Sequence, residues 1–171
     1  SFIFTEKDKQ MTAYHEAGHT LLNVLLPDTD PLHKVTIVPR GRTLGVSWSM
    51  PERDKYSQNK EEMIARVIVC YGGLLAEKMM FNTQTTGVSN DIEKATKIAR
   101  AMVCRYGMSD LGPVDLDYHQ EHPYLGRDLQ NMKEFSEDTA QRIDTEVNKI
   151  LQTCYQNGEN LLKENRSQLE L

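Results

Sequence analysis

Residues 12–19, Thr-Ala-Tyr-His-Glu-Ala-Gly-His, restrict what this chain can become more than any other stretch. Residues four apart lie one above the other on an α-helix, so His15 and His19 can offer two imidazole nitrogens to one ion. Zinc held by two imidazoles, one further protein ligand and a water acidifies that water to a pKa of about 7. Glu16, beside the first histidine, is then the candidate base that takes the water's proton and hands it to a leaving amine. The plain alternative is a solvated helix face that happens to carry two histidines and a glutamate. Three neighbours weigh against that alternative. Met11, Tyr14, Gly18, Leu21, Leu22 and Leu25 form a helical apolar stripe beside the histidines, which sets the pair at the edge of a core. Gly18 costs a helix about 1 kcal/mol relative to alanine, so something is expected to pack closely there. Thr5 is a helix start and Pro27-Asp28 a stop, so the motif lies mid-helix.

A chain of 171 residues with 39% hydrophobic content and six prolines is long enough for one globular domain with its own core, taken as residues 1–171. The net charge of −5, with both signs interspersed, argues against nucleic acid as a partner and supplies no polybasic membrane patch. No run approaches the roughly 18 apolar residues of a membrane span. The chain opens on Ser1-Phe2 without an initiator methionine and ends at Leu171 still in helical register, so it is expected to be cut from a longer one. Cys70, Cys104 and Cys154 are odd in number and widely spaced, which suits reduced buried thiols and a reducing compartment.

Beyond the first helix, Lys34–Val38 is a β-branched run closed by Pro39 and Gly41. Residues 43–50 alternate Leu44, Val46 and Trp48 against smaller or polar neighbours, so a β-hairpin is expected. Its exposed edge could hold an extended peptide through main-chain hydrogen bonds; the competing reading is a small structural sheet. Ser57-Gln58-Asn59 opens a helix expected to run to about Phe81, with Gly72-Gly73 marking either close helix packing or a kink. Glu77 in that helix is a metal ligand, a group supporting a ligand, or a solvated position, the last being the default. Ser89 is the expected N-cap of a helix over 90–106, with Asp91 in a first turn that favours acidic residues. Leu25 occupies the place where a metzincin carries its third histidine, which excludes that subclass and leaves Asp91 or Glu77 to complete a zinc site. Residues 107–132 read as a long surface loop, with His119 and His122 taken as solvated. From Ser136 a helix carries Ile143, Val147, Ile150, Leu151, Cys154 and Leu162 in one stripe, with Gly158 tolerated midway.

Taken together, Tyr14–His19, His33–Gly41, Leu44-Gly45-Val46 with Pro51-Glu52, Gly72-Gly73 with Ala76-Glu77, Thr86–Ile92 and Leu125-Gly126-Arg127 resemble, in order and over nearly the whole chain, the peptidase domain of the FtsH family of membrane-anchored AAA+ zinc proteases. The resemblance implies that His15, His19 and Asp91 bind Zn2+ and that Glu16 is the catalytic base. It implies a mostly helical fold with a small β-hairpin beside the site, and residues 44–47 (Leu44, Gly45, Val46, Ser47) as a substrate-binding edge strand. It further implies a homohexamer under an AAA+ ATPase ring, ATP-driven degradation of unfolded or misassembled membrane and cytosolic proteins, and anchoring with this domain on the cytoplasmic side of the bacterial inner membrane, or of an organelle membrane. The ATPase module and membrane helices of that family are absent from this chain. Two rivals are a helical scaffold whose motif is vestigial and a deformylase-like hydrolase; the latter needs a cysteine ligand upstream of the motif, and none precedes Cys70.

Overall fold

The computed structural model describes residues 3–29, 34–36, 46–48, 57–117 and 136–170, with backbone alone for the two short β segments. Six α-helices dominate them: α1 (Glu6–Leu25), α2 (Lys60–Cys70), α3 (Gly72–Phe81), α4 (Ser89–Cys104), α5 (Glu137–Glu164) and the single turn α6 (Arg166–Leu169). The strands β1 (Lys34–Thr36) and β2 (Val46–Trp48) pair antiparallel, Val35 opposite Ser47, and β2 runs beside α1. Residues 37–45, and with them any hairpin connection, lie outside the described residues.

Local chemistry sets the helix starts. Thr5 and Asp8 form a reciprocal capping box on α1, the Asp8 amide donating to Thr5 Oγ1 at 3.1 Å and the Thr5 amide to Asp8 Oδ2 at 3.0 Å. Asn59 and Glu62 repeat the device on α2, and Ser136 accepts the Thr139 amide at the head of α5. At the other end, α3 stops at Asn82, whose left-handed backbone (φ 54°) turns the chain away.

Three expectations are corrected. The helix expected to reach Phe81 breaks at Tyr71 (ψ −7°), and the Tyr71 amide bonds back three residues to Ile68 before α3 begins. Ser89 caps nothing: a 3₁₀ turn, Thr86–Val88, leads straight into α4, and its cap is Thr85. The described part of the expected loop, residues 107–117, carries no helix or strand, as expected, and is tied to the domain. The Leu116 amide donates to the Cys104 carbonyl at 2.8 Å, and Leu111 and Leu116 pack on Val103 and Ile143; His119 and His122 lie outside the described residues. The helical register expected through Leu171 also fails, because the chain turns at Asn165 and buries Leu169 against Tyr14 and Ala76.

The core forms where α2, α4 and α5 meet α1 and α3. Leu22, Val67, Met102 and Leu162 are fully buried there, each worth about 1.5–3 kcal/mol of apolar burial. The closest contact in the fold is between α1 and α3. A Cβ on Gly72 would stand 2.7 Å from the Gly18 carbonyl oxygen, and one on Gly18 would stand 2.8 Å from the Ala76 Cβ. No side chain fits between these backbones, so both glycines are required by approach rather than by turn geometry. Gly72-Gly73 therefore marks both readings, a break in the helix and a close pack against the histidine helix.

Candidate metal centre

Mid-α1 the helix presents His15 and His19 toward α3 and α4. Gly73 makes room for the first: a Cβ there would run into the His15 ring. The 3₁₀ turn after Thr85 then delivers Asp91, in the first turn of α4, between the two imidazoles.

The resulting geometry is tight. His15 Nε2 lies 3.0 Å and His19 Nε2 3.1 Å from Asp91 Oδ2, and the two nitrogens are 3.1 Å apart. Three ligand atoms thus form a near-equilateral triangle. Tetrahedral zinc with bonds of about 2.0–2.1 Å to nitrogen and oxygen needs ligand separations of about 3.3 Å, so the triangle matches one face of that tetrahedron to within a few tenths of an ångström.

The other ring nitrogens decide what these atoms can do. His19 Nδ1 lies 2.7 Å from the Val69 carbonyl oxygen, which can only accept, so Nδ1 carries the proton and Nε2 presents its lone pair. His15 Nδ1 donates to Glu77 Oε2 at 2.6 Å, which leaves its Nε2 in the same state. Two lone pairs and a carboxylate oxygen facing one another at 3 Å repel unless a cation lies among them, and this donor set suits zinc. With no metal, a proton fills the role. Burial works to lower the His15 pKa, but the bonds to Asp91 and Glu77 prevail and lift it from 6.5 to about 9. Burial likewise favours the neutral form of Asp91, yet the two imidazoles hold its carboxyl well below the usual carboxylate range.

Of the three, Asp91 is the most open, with 24% of its side chain exposed against 13% and 11% for His15 and His19. Among the described residues only these three come together as a possible metal site. Glu16, the next residue of α1, is itself buried.

The default reading of Glu77 as a solvated position is overturned. It is 2% exposed, and its second carboxyl oxygen, Oε1, accepts the Thr85 amide at 2.9 Å and the Thr85 hydroxyl at 2.6 Å. Sequence reasoning missed the Val69 carbonyl altogether. It is one of the last four carbonyls of α2, where the break at Tyr71 ends the regular helical ladder, and Gly72-Gly73 was its only signal. Thr85 was missed as well, hidden in a polar loop. Of the expected substrate strand, Leu44 and Gly45 lie outside the described residues, and of Val46 and Ser47 only the backbone in β2 is described.

A histidine pair one helical turn apart, with a buried glutamate after the first and a carboxylate from a second helix closing the group, on a mostly helical scaffold, defines the class of zinc-dependent peptidases. The chain belongs to peptidase family M41, whose model matches residues 2–171. It is 53% identical to the ATP-dependent zinc metalloprotease FtsH of Myxococcus xanthus (strain DK1622) over 96% of this chain and 26% of that protein. It is 48% identical to FtsH 1 of Thermoanaerobacter sp. (strain X514) over 99% of this chain and 28% of that one, and 46% identical to FtsH of Rubrobacter xylanophilus over 98% and 26%. The chain thus spans about a quarter of the length of the curated relatives it matches.

Proposed function

We propose that this chain is the peptidase domain of an ATP-dependent protease, that His15, His19 and Asp91 hold its zinc, and that Glu16 is its catalytic base. The observation that carries the reading is the convergence of His15 Nε2, His19 Nε2 and Asp91 Oδ2 at 3.0–3.1 Å with both imidazole tautomers set from behind. Zinc, when bound there, supplies Lewis acidity that makes water acidic at neutral pH and polarises the scissile carbonyl. Glu16 takes a proton from the attacking water and returns it to the departing amine, the role that its place beside His15 suits. Glu77 and the Val69 carbonyl keep the two rings aimed while charge develops.

Residues 44–47 are the proposed edge that pairs with an extended substrate. β2 running beside α1, the helix that carries the histidines, supports this. The whole protein is proposed to carry an AAA+ module, to assemble as a hexamer, and to degrade unfolded or misassembled membrane and cytosolic polypeptides. The names of the relatives, ATP-dependent zinc metalloproteases, support the first of these. Among the described residues no helix is long and apolar enough to cross a membrane. The domain is assigned to the cytoplasmic face of a bacterial inner membrane, in keeping with three buried free thiols.

The test pairs metal content with cleavage of a labelled unfolded polypeptide. Glu16→Gln is expected to keep about one zinc per chain and to lose cleavage by about 10²–10⁴-fold; Asp91→Ala is expected to lose the zinc. Cleavage retained by Glu16→Gln would remove that residue from the mechanism, and zinc retained by Asp91→Ala would remove the third ligand.

A further inference from the structure

One carboxyl group joins the two halves of the metal centre, and one exposed residue holds that carboxyl in place. Glu77 uses Oε2 for the His15 imidazole at 2.6 Å and Oε1 for Thr85, which donates to it twice, from its amide at 2.9 Å and its hydroxyl at 2.6 Å. The same Thr85 Oγ1 accepts the Gly87 amide at 3.2 Å and so caps the 3₁₀ turn that runs into α4, six residues before Asp91. The orientation of a ligand on α1 and the start of the segment that delivers the ligand on α4 are therefore referred to a single hydroxyl.

We infer that the Thr85 hydroxyl is a positioning group for the metal centre, which locks the Glu77 carboxyl against His15 and registers the Asp91 segment to it, and so sets the affinity of the site for zinc. The inference rests on the zinc reading of the three ligands given above. Thr85 is exposed, whereas Glu77 beneath it is 2% exposed, so this residue stands between the carboxyl and solvent. Without the hydroxyl, Oε1 keeps only the amide bond. The carboxyl is then free to rotate, water competes for it, and the His15 ring loses its fixed plane. Groups that orient a metal-bound histidine from behind are worth about 10–100-fold in metal affinity.

The test compares the parent with Thr85→Val, which keeps the shape and the amide but removes the hydroxyl, and Thr85→Ser, which keeps the hydroxyl. Zinc affinity is read by competition with a chromophoric chelator, the ligand field by cobalt(II) absorption, and fold stability by melting of the metal-free proteins. Thr85→Val is expected to bind zinc about 10–100-fold more weakly with an altered cobalt spectrum, and Thr85→Ser to match the parent in both. Should Thr85→Val fail to fold, Thr85→Ala makes the same comparison with the same expected loss. An unchanged zinc affinity in Thr85→Val overturns the inference even if its metal-free melting point falls, because the hydroxyl would then serve only the turn. Thr85→Ser as weak as Thr85→Val overturns it too, since the methyl group rather than the hydroxyl would matter. A parent that binds no zinc would overturn the underlying metal reading, and that result is distinguished by the parent alone.

Discussion

Replacing Gly18 by alanine sets two opposite effects against each other, and the structure says which is larger. A methyl group there would stand 2.8 Å from both the Ala76 Cβ and the Gly72 carbonyl carbon, and nearer still to the Gly72 oxygen. Carbon atoms in ordinary contact are about 3.5–4.0 Å apart, so α1 and α3 must part by roughly 1 Å. Two of the three obstacles are backbone atoms and the third is a Cβ, so no rotamer change relieves the clash. That places the cost near the upper end for overpacking, about 3 kcal/mol. Alanine in a helix recovers about 0.5–1 kcal/mol over glycine, leaving a net loss of about 2 kcal/mol. For a domain of this size the melting temperature should fall by about 4–8 °C, measured by circular dichroism with and without chelator. Zinc binding should weaken as well, because His15 on α1 and Glu77 on α3 move apart together. A melting temperature that is unchanged, or higher by about 2–4 °C, would mean that helix propensity governs and that the close approach is not a constraint. Gly158→Ala is the control: its only contact under 3 Å is with Leu75 Cδ1 at 2.9 Å, the end of a flexible side chain, so its melting temperature should stay within about 2 °C of the parent.

Two further predictions concern protons. The metal-free His15 pKa is raised from 6.5 to about 9, so the proton's contribution to stability is complete below pH 6.5 and is lost as pH rises through 9. Metal-free protein should therefore melt progressively lower between those values, and calorimetry in buffers of differing ionisation enthalpy at pH 7.5 should show proton release on zinc binding; zinc binding without proton release would contradict the raised His15 pKa. Burial pushes the Cys70 thiol up to about 11 and the Cys154 thiol up to about 12, so neither should react with iodoacetamide at pH 8 until the protein is unfolded. Rapid labelling of either thiol in the native protein, tracked by mass spectrometry, would refute its burial.

The local features of the chain were legible without the fold because each depends on neighbours a few residues away. Thr5 with Asp8, Asn59 with Glu62 and Ser136 with Thr139 are short-range hydrogen-bonding patterns, and they start α1, α2 and α5 where expected. The histidine pair belongs with them, since four residues on a helix suffice to align His15 with His19. Ser89 misled because Thr85, four residues earlier, offers a hydroxyl that both caps the turn and reaches Glu77. Gly158, taken as merely tolerated, sits against Leu75 of α3, a contact 83 residues away in the chain that no periodicity could disclose.

The division follows range. Helices, most of their starts, the histidine pair and the family resemblance are written in residues close together along the chain, where propensity and periodicity act. The seating of Gly18 on Gly72 and the burial of Glu77 against His15 join segments far apart in sequence, where two helices pack more closely than any side chain larger than hydrogen would allow. The geometry of the proposed metal centre belongs to this second group. Asp91 lies 76 residues from His15, and their 3.0 Å contact exists only because packing of α1, α3 and α4 overcomes the cost of setting a carboxylate and two imidazoles together out of water.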